Sequence, residues 1–411
     1  VSCEQAFDPA LRGRPVVVLS NNDGCIISRS NEAKRIGVPM GAPVHEVQPL
    51  LRKYRVAMLS SNYALYGDMS NRVMGLLGHY ARALERYSVD ECFLDLSGEP
   101  DPVALAQCMR IDVHNGLGLP ICVGVAPSKT LAKIANYIAK KSPAAEGVFS
   151  FMGMSEAERL AVLDSLPVEE IWGVGRRLGM RLRLEGIGTA GALVRAKRDW
   201  LRGRFGVVLV RLADELSGIS CLELETVQPA KKTLISTRSF GRKVTARAEL
   251  EEAVSMHAAK LGEKLRKQGS LAAFIQVMVR TGLYGDYQTA QRDSEVVALM
   301  PPSNDSRVLI AAARAAVARL YRAGLRYHKA GACVFELSPA AQAQGDLFAG
   351  SSRNEVSERL MQTIDDINRK LGTGSLRWAA EGLKQPWAMR RNHVSPQYTT
   401  RWDQLLVVKA K

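Results

Sequence analysis

Short β-branched runs alternate with amphipathic helical stretches over the first third of the chain. Residues 15–20 (PVVVLS) and 24–30 (GCIISRS) are apolar and β-rich. The Asn22-Asp23-Gly24 turn signal between them predicts two strands joined by a tight turn. NEAKRIG then predicts a short helix ending at Gly37. A helical stretch follows near 101–116, then a strand at 121–126 (ICVGVA) and a helix over 128–141. In that helix Leu131, Ile134, Ala135 and Ile138 share one face and lysines occupy much of the rest. The order predicts a sheet covered by helices on one side. Residues 166–218 become helical, Arg-rich and Gly-punctuated, and a polar connector occupies 222–233. Residues 234–338 then form two similar halves. The first is strand ISTRSF, a helix with Leu250, Val254, Leu261 and Leu265 on one side, and strand AAFIQVMV. The second is strand SEVVALM, a helix with Leu309, Ala313, Ala316 and Leu320, and strand AGACVFEL. This βαβ–βαβ order is a compact α+β module. Beyond 340 the pattern is polar and loop-like, with a helix near 354–371 and an aromatic, basic tail.

One strand-like run breaks the pattern. YSVDECFLDLSG, residues 87–98, places Asp90 and Glu91 side by side among residues that favour a half-buried pleated surface. An ideal strand aims neighbouring side chains at opposite faces. The acids converge only if the backbone turns sharply, and LERYS and CFLDLS are strand-like on either side of VDE. A solvated hairpin tip is the plain reading of such a pair. Phosphoryl transfer with two Mg²⁺ ions is the chemical one, because it needs clustered hard oxygen ligands beside bound phosphates. Asp95 continues the second strand as a structural or solvated residue. Cationic partners for a triphosphate exist elsewhere: Ser28 with Lys34 near the first helix, and Lys129, Lys133, Lys140 and Lys141 on the later one. Most lysines on such a helix form a solvated face, which leaves one or two for substrate.

At 411 residues the chain predicts two to four domains. The balance of 56 Lys+Arg against 41 Asp+Glu, a net +15, points to a polyanionic partner, nucleic acid before membrane. No apolar stretch reaches the length of a bilayer span and no signal-peptide pattern stands at the start, so a cytoplasmic protein is expected. Cys3, Cys25, Cys92, Cys108, Cys122, Cys221 and Cys333 are scattered, with no CxxC pair. Reduced thiols fit them better than a disulfide frame, and the dispersed histidines argue against zinc. Gly173-Val174-Gly175 between two short helices has the form of a helix–hairpin–helix. There the backbone approaches a phosphate closely and a helix N-terminus grips it. Arg176, Arg177, Arg181 and Arg183 add charge without base specificity, favouring DNA-backbone binding over an ordinary helix turn.

Together these motifs resemble the Y-family DNA polymerases. SCEQAFDPALRGRPVVVLSNNDGCIISRSNEAKRIGVPMG, SSNYALYGDMSNRVM, YSVDECFLDLSG, VGVAPSKTLAKIANYIAKK, IWGVGRR and STRSFG occur in that family's order over essentially the whole chain. The SNNDGC and SSNYALYGDMSNR wording and the extended C-terminus resemble the UmuC branch, the catalytic subunit of bacterial DNA polymerase V. The resemblance implies an α+β multidomain, right-hand architecture. A ferredoxin-like palm with small fingers would cover 1–165, a helix–hairpin–helix thumb 166–225, a linker 226–233, a βαβ–βαβ little finger 234–340 and a C-terminal extension 341–411. It implies that Asp90 and Glu91 are metal ligands and that Ser28, Lys34 and Lys140 hold the incoming triphosphate. More distant branches carry Tyr and Arg where this chain has Asn31 and Lys34, and Lys offers a point charge instead of a bidentate fork. Gln344-Gly345-Asp346-Leu347-Phe348 resembles the family's sliding-clamp peptide, with Gln344, Leu347 and Phe348 as its contacts and Gly345 replacing the usual Leu. The tail SPQYTTRWDQLLVVKAK is expected to dock a partner.

The function implied is translesion synthesis: template-directed, error-prone, two-metal nucleotidyl transfer on primer–template DNA with dNTP and Mg²⁺ in an SOS-type response. A UmuD-like accessory subunit, the RecA filament and the sliding clamp are implied partners. The family's first metal-binding Asp and its ribonucleotide-excluding aromatic residue precede the SCE motif, which here follows Val1 directly. The expectation is therefore a mis-chosen start, a truncated chain or a shortened gene, with poor polymerisation by the 411 residues alone and rescue by an upstream Asp-containing segment. The rival from a different class is a non-catalytic scaffold that binds DNA and clamp. Asp90 and Glu91 favour the enzyme.

Overall fold

Val16–Leu19 is apolar at every position because both of its faces are covered, all four residues being at most 1% exposed. In the computed structural model, which describes residues 1–227, 229–282, 291–342 and 355–405, this strand is the centre of a three-stranded sheet. It runs antiparallel to Ile26–Arg29 and parallel to Ala57–Ser60. Ser30 starts the following helix, Asn31–Arg35, by accepting the Ala33 N–H at 3.2 Å, and it also accepts the N–H of Val16 at 3.1 Å. Val17, Leu19, Ile26, Val38 and Leu51 form the core beneath.

This sheet belongs to one of two compact units, built from Pro15–Ser61 and Pro229–Val394. The rest of that unit is the βαββαβ module Thr233–Val244, Arg247–Gln268, Ser270–Thr281, Arg292–Ser303, Ser306–Leu320 and Tyr327–Pro339. Its four strands form one antiparallel sheet in the order Arg292–Ser303, Ser270–Thr281, Tyr327–Pro339, Thr233–Val244. Burial alternates along Ser270–Thr281, so one face carries the two helices. The helical residues expected on the inner side, Leu250, Val254, Leu261, Leu265, Leu309, Ala313, Ala316 and Leu320, are all buried there. Helix Glu355–Leu371 joins the unit through Asp365, whose carboxylate takes a two-pronged contact from Arg266 at 2.7 and 2.8 Å.

The other unit comprises Val1–Arg14, Asn62–Gln228 and Ser395–Lys411. Leu84–Arg86 and Cys92–Leu94 form a hairpin, and Val123–Val125 pairs in parallel with Val148–Ser150. The apolar face of helix Lys129–Lys141 closes onto a helical cluster through Leu131, Ile134, Leu163, Leu182, Leu209 and Leu216. That helix lies so close over the strand that a Cβ on Gly124 would stand 2.2 Å from the Asn136 nitrogen. One expectation changes: the strands of the first third do not join into a single sheet but divide, among the described residues, over three small ones. Periodicity identifies a strand and its buried face, whereas pairing depends on residues distant in sequence. The α+β, multidomain class stands.

Candidate active site

The turn between Leu84–Arg86 and Cys92–Leu94 decides where the two acids go. The amides of Tyr87 and Ser88 both donate to the Glu91 carbonyl, at 3.2 and 3.0 Å, closing a tight loop. Asp90 and Glu91 are therefore at the exposed end of a hairpin. Asp90 accepts from the Ser88 hydroxyl at 2.7 Å. Glu91 receives the Lys133 ammonium on both carboxylate oxygens, at 2.9 and 2.8 Å, with the Glu91 side chain still 45% exposed. Asp95 bends back to the Ser97 amide at 2.9 Å, and hydrogen bonding to Ser97 holds its carboxyl below the usual range.

Lys133 is itself positioned by an aromatic cluster. Its ammonium lies 4.8 Å from the Tyr87 ring centroid and 5.9 Å from that of Trp172. Trp172 Nε1 donates to the Tyr87 hydroxyl at 2.9 Å, and Phe93 packs against both rings at 5.8 Å. Lys129, one turn before Lys133, is committed elsewhere: it pairs with Glu85 and donates to the Glu223 carbonyl. Lys141 sits over Tyr137. Lys140 is exposed, seven residues beyond Lys133 on the same helical face and so ~10 Å further along the axis.

The donor set suits a hard divalent cation. Two solvent-facing carboxylates at a hairpin tip, one already attracting an ammonium, offer the oxygen ligands that Mg²⁺ accepts when substrate phosphates complete its shell. Among the described residues no cluster of three or more His, Cys, Asp or Glu side chains forms a further candidate.

Ser28 and Lys34 lie in the other unit. Ser28 is half-buried in Ile26–Arg29 opposite Val18, and exposed Lys34 donates to Asn31 Oδ1 at 3.1 Å. In the Arg-rich stretch Gly173 has φ +91°, a conformation that side chains disfavour, and Gly175 precedes helix Arg176–Leu184. A Cβ at either glycine would meet nothing within 4 Å, so the loop's outer surface is open. Arg176 and Arg177 are exposed. Arg183 is not available, because it grips Glu169 at 2.6 and 2.7 Å and brings that carboxyl down to about 2. Gln344, Leu347 and Phe348 lie outside the described residues.

Sequence reasoning missed two groups. The Tyr87–Phe93–Trp172 cluster was signalled by aromatic residues flanking the acid pair and the Gly173 loop. Glu215 gave no signal, being an ordinary acid near a helix end. It is 1% exposed and its carboxylate accepts the amides of Thr130, Cys221 and Leu222 at 2.9, 2.6 and 3.1 Å. At the start of the tail, Asn62 Nδ2 donates to the Ser395 and Pro396 carbonyls at 3.0 and 3.2 Å, and Tyr398 stacks on Phe7 at 5.0 Å. These residues pack on their own chain.

Comparison with known proteins identifies the family. The model described as the impB/mucB/samB family matches residues 1–137, and that family's C-terminal domain matches 231–347. A model described as a domain of unknown function matches 358–408. Protein UmuC of Salmonella typhimurium (strain LT2) is 42% identical, over 99% of this chain and 97% of that protein. DNA polymerase IV of Bacillus velezensis is 26% identical, over 92% of this chain and 90% of that protein. A solved Y-family DNA polymerase chimera of Dbh and Dpo4 superposes with a TM-score of 0.62 at 20% identity, covering 81% of this chain and 95% of that one.

Proposed function

The chain belongs to the impB/mucB/samB family, and from that premise we propose that it is an error-prone translesion DNA polymerase that uses Asp90 and Glu91 as metal ligands. The observation that carries the site is the hairpin that presents both carboxylates together at an exposed tip beside the Lys133 helix. Two bound Mg²⁺ ions would supply Lewis-acid activation of the primer 3′-hydroxyl and charge compensation at the leaving pyrophosphate.

The protein's own groups do the binding and orienting. Lys133 balances the Glu91 charge and is held in place by Tyr87 and Trp172. Exposed Lys140, with Ser28 and Lys34, takes the triphosphate. The open Gly173–Gly175 loop with Arg176 and Arg177 takes duplex backbone, which fits residues 166–225 as the thumb and 234–340 as the little finger. Gln344, Leu347 and Phe348 would anchor the chain on the sliding clamp. A UmuD-like subunit and the RecA filament complete the expected partners, in the bacterial cytoplasm. The scaffold reading is not favoured, since it leaves the paired acids and the phosphate-directed lysines without a role.

The test is primer extension by the protein carrying the upstream Asp-containing segment, with the 411 residues alone as the comparison expected to extend poorly. Asp90→Ala or Glu91→Ala should abolish Mg²⁺-dependent dNTP incorporation and leave primer–template affinity within about twofold. Robust extension by the double variant would return the pair to a solvated hairpin tip.

A further inference from the structure

Part of the segment that matches a domain of unknown function, residues 358–408, is seated on the SNNDGC motif. Within the unit formed by Pro15–Ser61 and Pro229–Val394, Trp387 is 4% exposed against Phe240, and its carbonyl accepts the Gly241 amide at 3.0 Å. A few residues later the backbone reaches the SNNDGC turn. The Arg390 amide donates to Asn22 Oδ1 and the Asn392 amide to Asp23 Oδ2, both at 2.9 Å. His393 and Ser60 exchange a pair: the His393 amide donates to Ser60 Oγ at 3.0 Å and the Ser60 amide to the His393 carbonyl at 2.9 Å. The Ser60 hydroxyl also donates to Asp23 Oδ1 at 2.6 Å.

Asn22 and Asp23 adopt φ of +60° and +52°, a left-handed conformation that Asn and Asp tolerate better than other side chains. It aims both side chains at the passing backbone. Asn22 Nδ2 meanwhile donates to the Phe240 carbonyl at 3.0 Å, so one residue holds the Thr233–Val244 strand and the C-terminal segment at once. None of this is phosphate or metal chemistry.

We infer that residues 378–394 are an intramolecular strap that ties the three-stranded Pro15–Ser61 module to the four-stranded module, and that Asn22, Asp23 and Ser60 are its receptor. The strap is recognised through its main chain, the amides of Arg390, Asn392 and His393 each meeting a side-chain acceptor of the receptor. It fixes the spacing of two modules that the polypeptide connects only through the whole of residues 62–228. The SNNDGC wording thereby has a role that catalysis does not give it.

Hydrogen exchange on the full-length chain tests this. The amides of Arg390, Asn392 and His393 should be protected in the unaltered protein. In the Asn22→Ala, Asp23→Ala double variant that protection should fall by roughly tenfold or more, with the amides of Ser270–Thr281 unchanged as the control for folding. Asp23→Asn keeps an acceptor oxygen and should retain most of the protection at Asn392. Gly241→Ala is an independent route: its Cβ would stand 2.2 Å from the Ala388 carbonyl oxygen, which displaces the strap without touching the receptor. In both disruptive variants, labels on helices Val44–Lys53 and Ser306–Leu320 should report a broadened distance distribution. The inference is overturned if these amides exchange freely in the unaltered chain. It is equally overturned if their protection survives both disruptive variants, or arises only when a separate partner protein is added.

Discussion

Glu215→Ala should loosen the junction between helix Val207–Leu216 and the start of helix Lys129–Lys141 by about 3–5 kcal/mol. The carboxylate is 1% exposed and takes three backbone amides: Thr130 on Oε2, and Cys221 and Leu222 on Oε1. Hydrogen bonds to a charged acceptor are worth ~1.5–3 kcal/mol each, but three that share one group are not additive. Truncation strands the three donors. Thr130 is fully buried and bears the whole desolvation cost, whereas Leu222 is exposed and water can replace its partner. The upper half of the naive sum is therefore out of reach. Glu215→Gln keeps one acceptor oxygen for Cys221 and Leu222 but turns an NH₂ toward the Thr130 amide, so about 2 kcal/mol is expected.

A chain of two units does not unfold in a single step, so the measurement is local. Opening free energies from hydrogen exchange at Thr130, Cys221 and Leu222 should drop in the order Ala, then Gln, then unaltered protein. The Ser128 hydroxyl also donates to the Glu215 carbonyl at 2.6 Å, a bond that neither variant removes, so the helix should open at its first turn only. A loss under about 1 kcal/mol in the alanine variant, or equal losses in both, would falsify the view that this buried carboxylate holds the helix carrying Lys133 and Lys140.

Two further predictions concern other surfaces. Arg176→Ala with Arg177→Ala should weaken duplex binding equally across sequences and lower the slope of log affinity against log salt by about one to two units; a fluorescence-anisotropy salt titration with an unchanged slope would remove the phosphate contacts from that loop. Burial holds His257 down to about 3, with Arg238, Lys260, Lys264 and Lys329 adding repulsion, so the native imidazole stays neutral where the unfolded one, near 6.5, binds a proton. Its contribution is thus complete above the unfolded value and lost as pH falls: about 2 kcal/mol should disappear from the four-stranded module between pH 7 and pH 5, and His257→Gln should flatten that dependence in urea titrations.

What could be read from the sequence follows the range of the interactions involved. The βαββαβ module was legible residue by residue, because Leu250, Val254, Leu261 and Leu265 repeat with a helical period and stay buried on one face. The hairpin at Asp90 and Glu91 was legible because a local break in the strand pattern needs a local turn. Lys133 stood among several equivalent lysines until its pairing with Glu91 singled it out. Glu215 was invisible for the opposite reason: its three partners lie either just beyond it or 85 residues away, and all are backbone amides that leave no trace in side-chain identity.

Backbone recognition also explains why SNNDGC is distinctive in wording without carrying phosphate or metal chemistry. A motif that grips a side chain leaves two signatures, one on each partner, whereas a motif that grips main chain leaves one. Asn22 and Asp23 are constrained in type by their left-handed backbone and by the acceptors they must offer. The strap they hold is constrained chiefly where Trp387 enters the core and where Gly241 must lack a Cβ. The distinctive wording is accordingly concentrated near the start of the chain and the plain wording near its end, although the two form one structure. In this chain an Asn-Asp pair beside a glycine turn is therefore a seat for the polypeptide's own residues 390–393, while the acids at the Asp90–Glu91 tip face solvent.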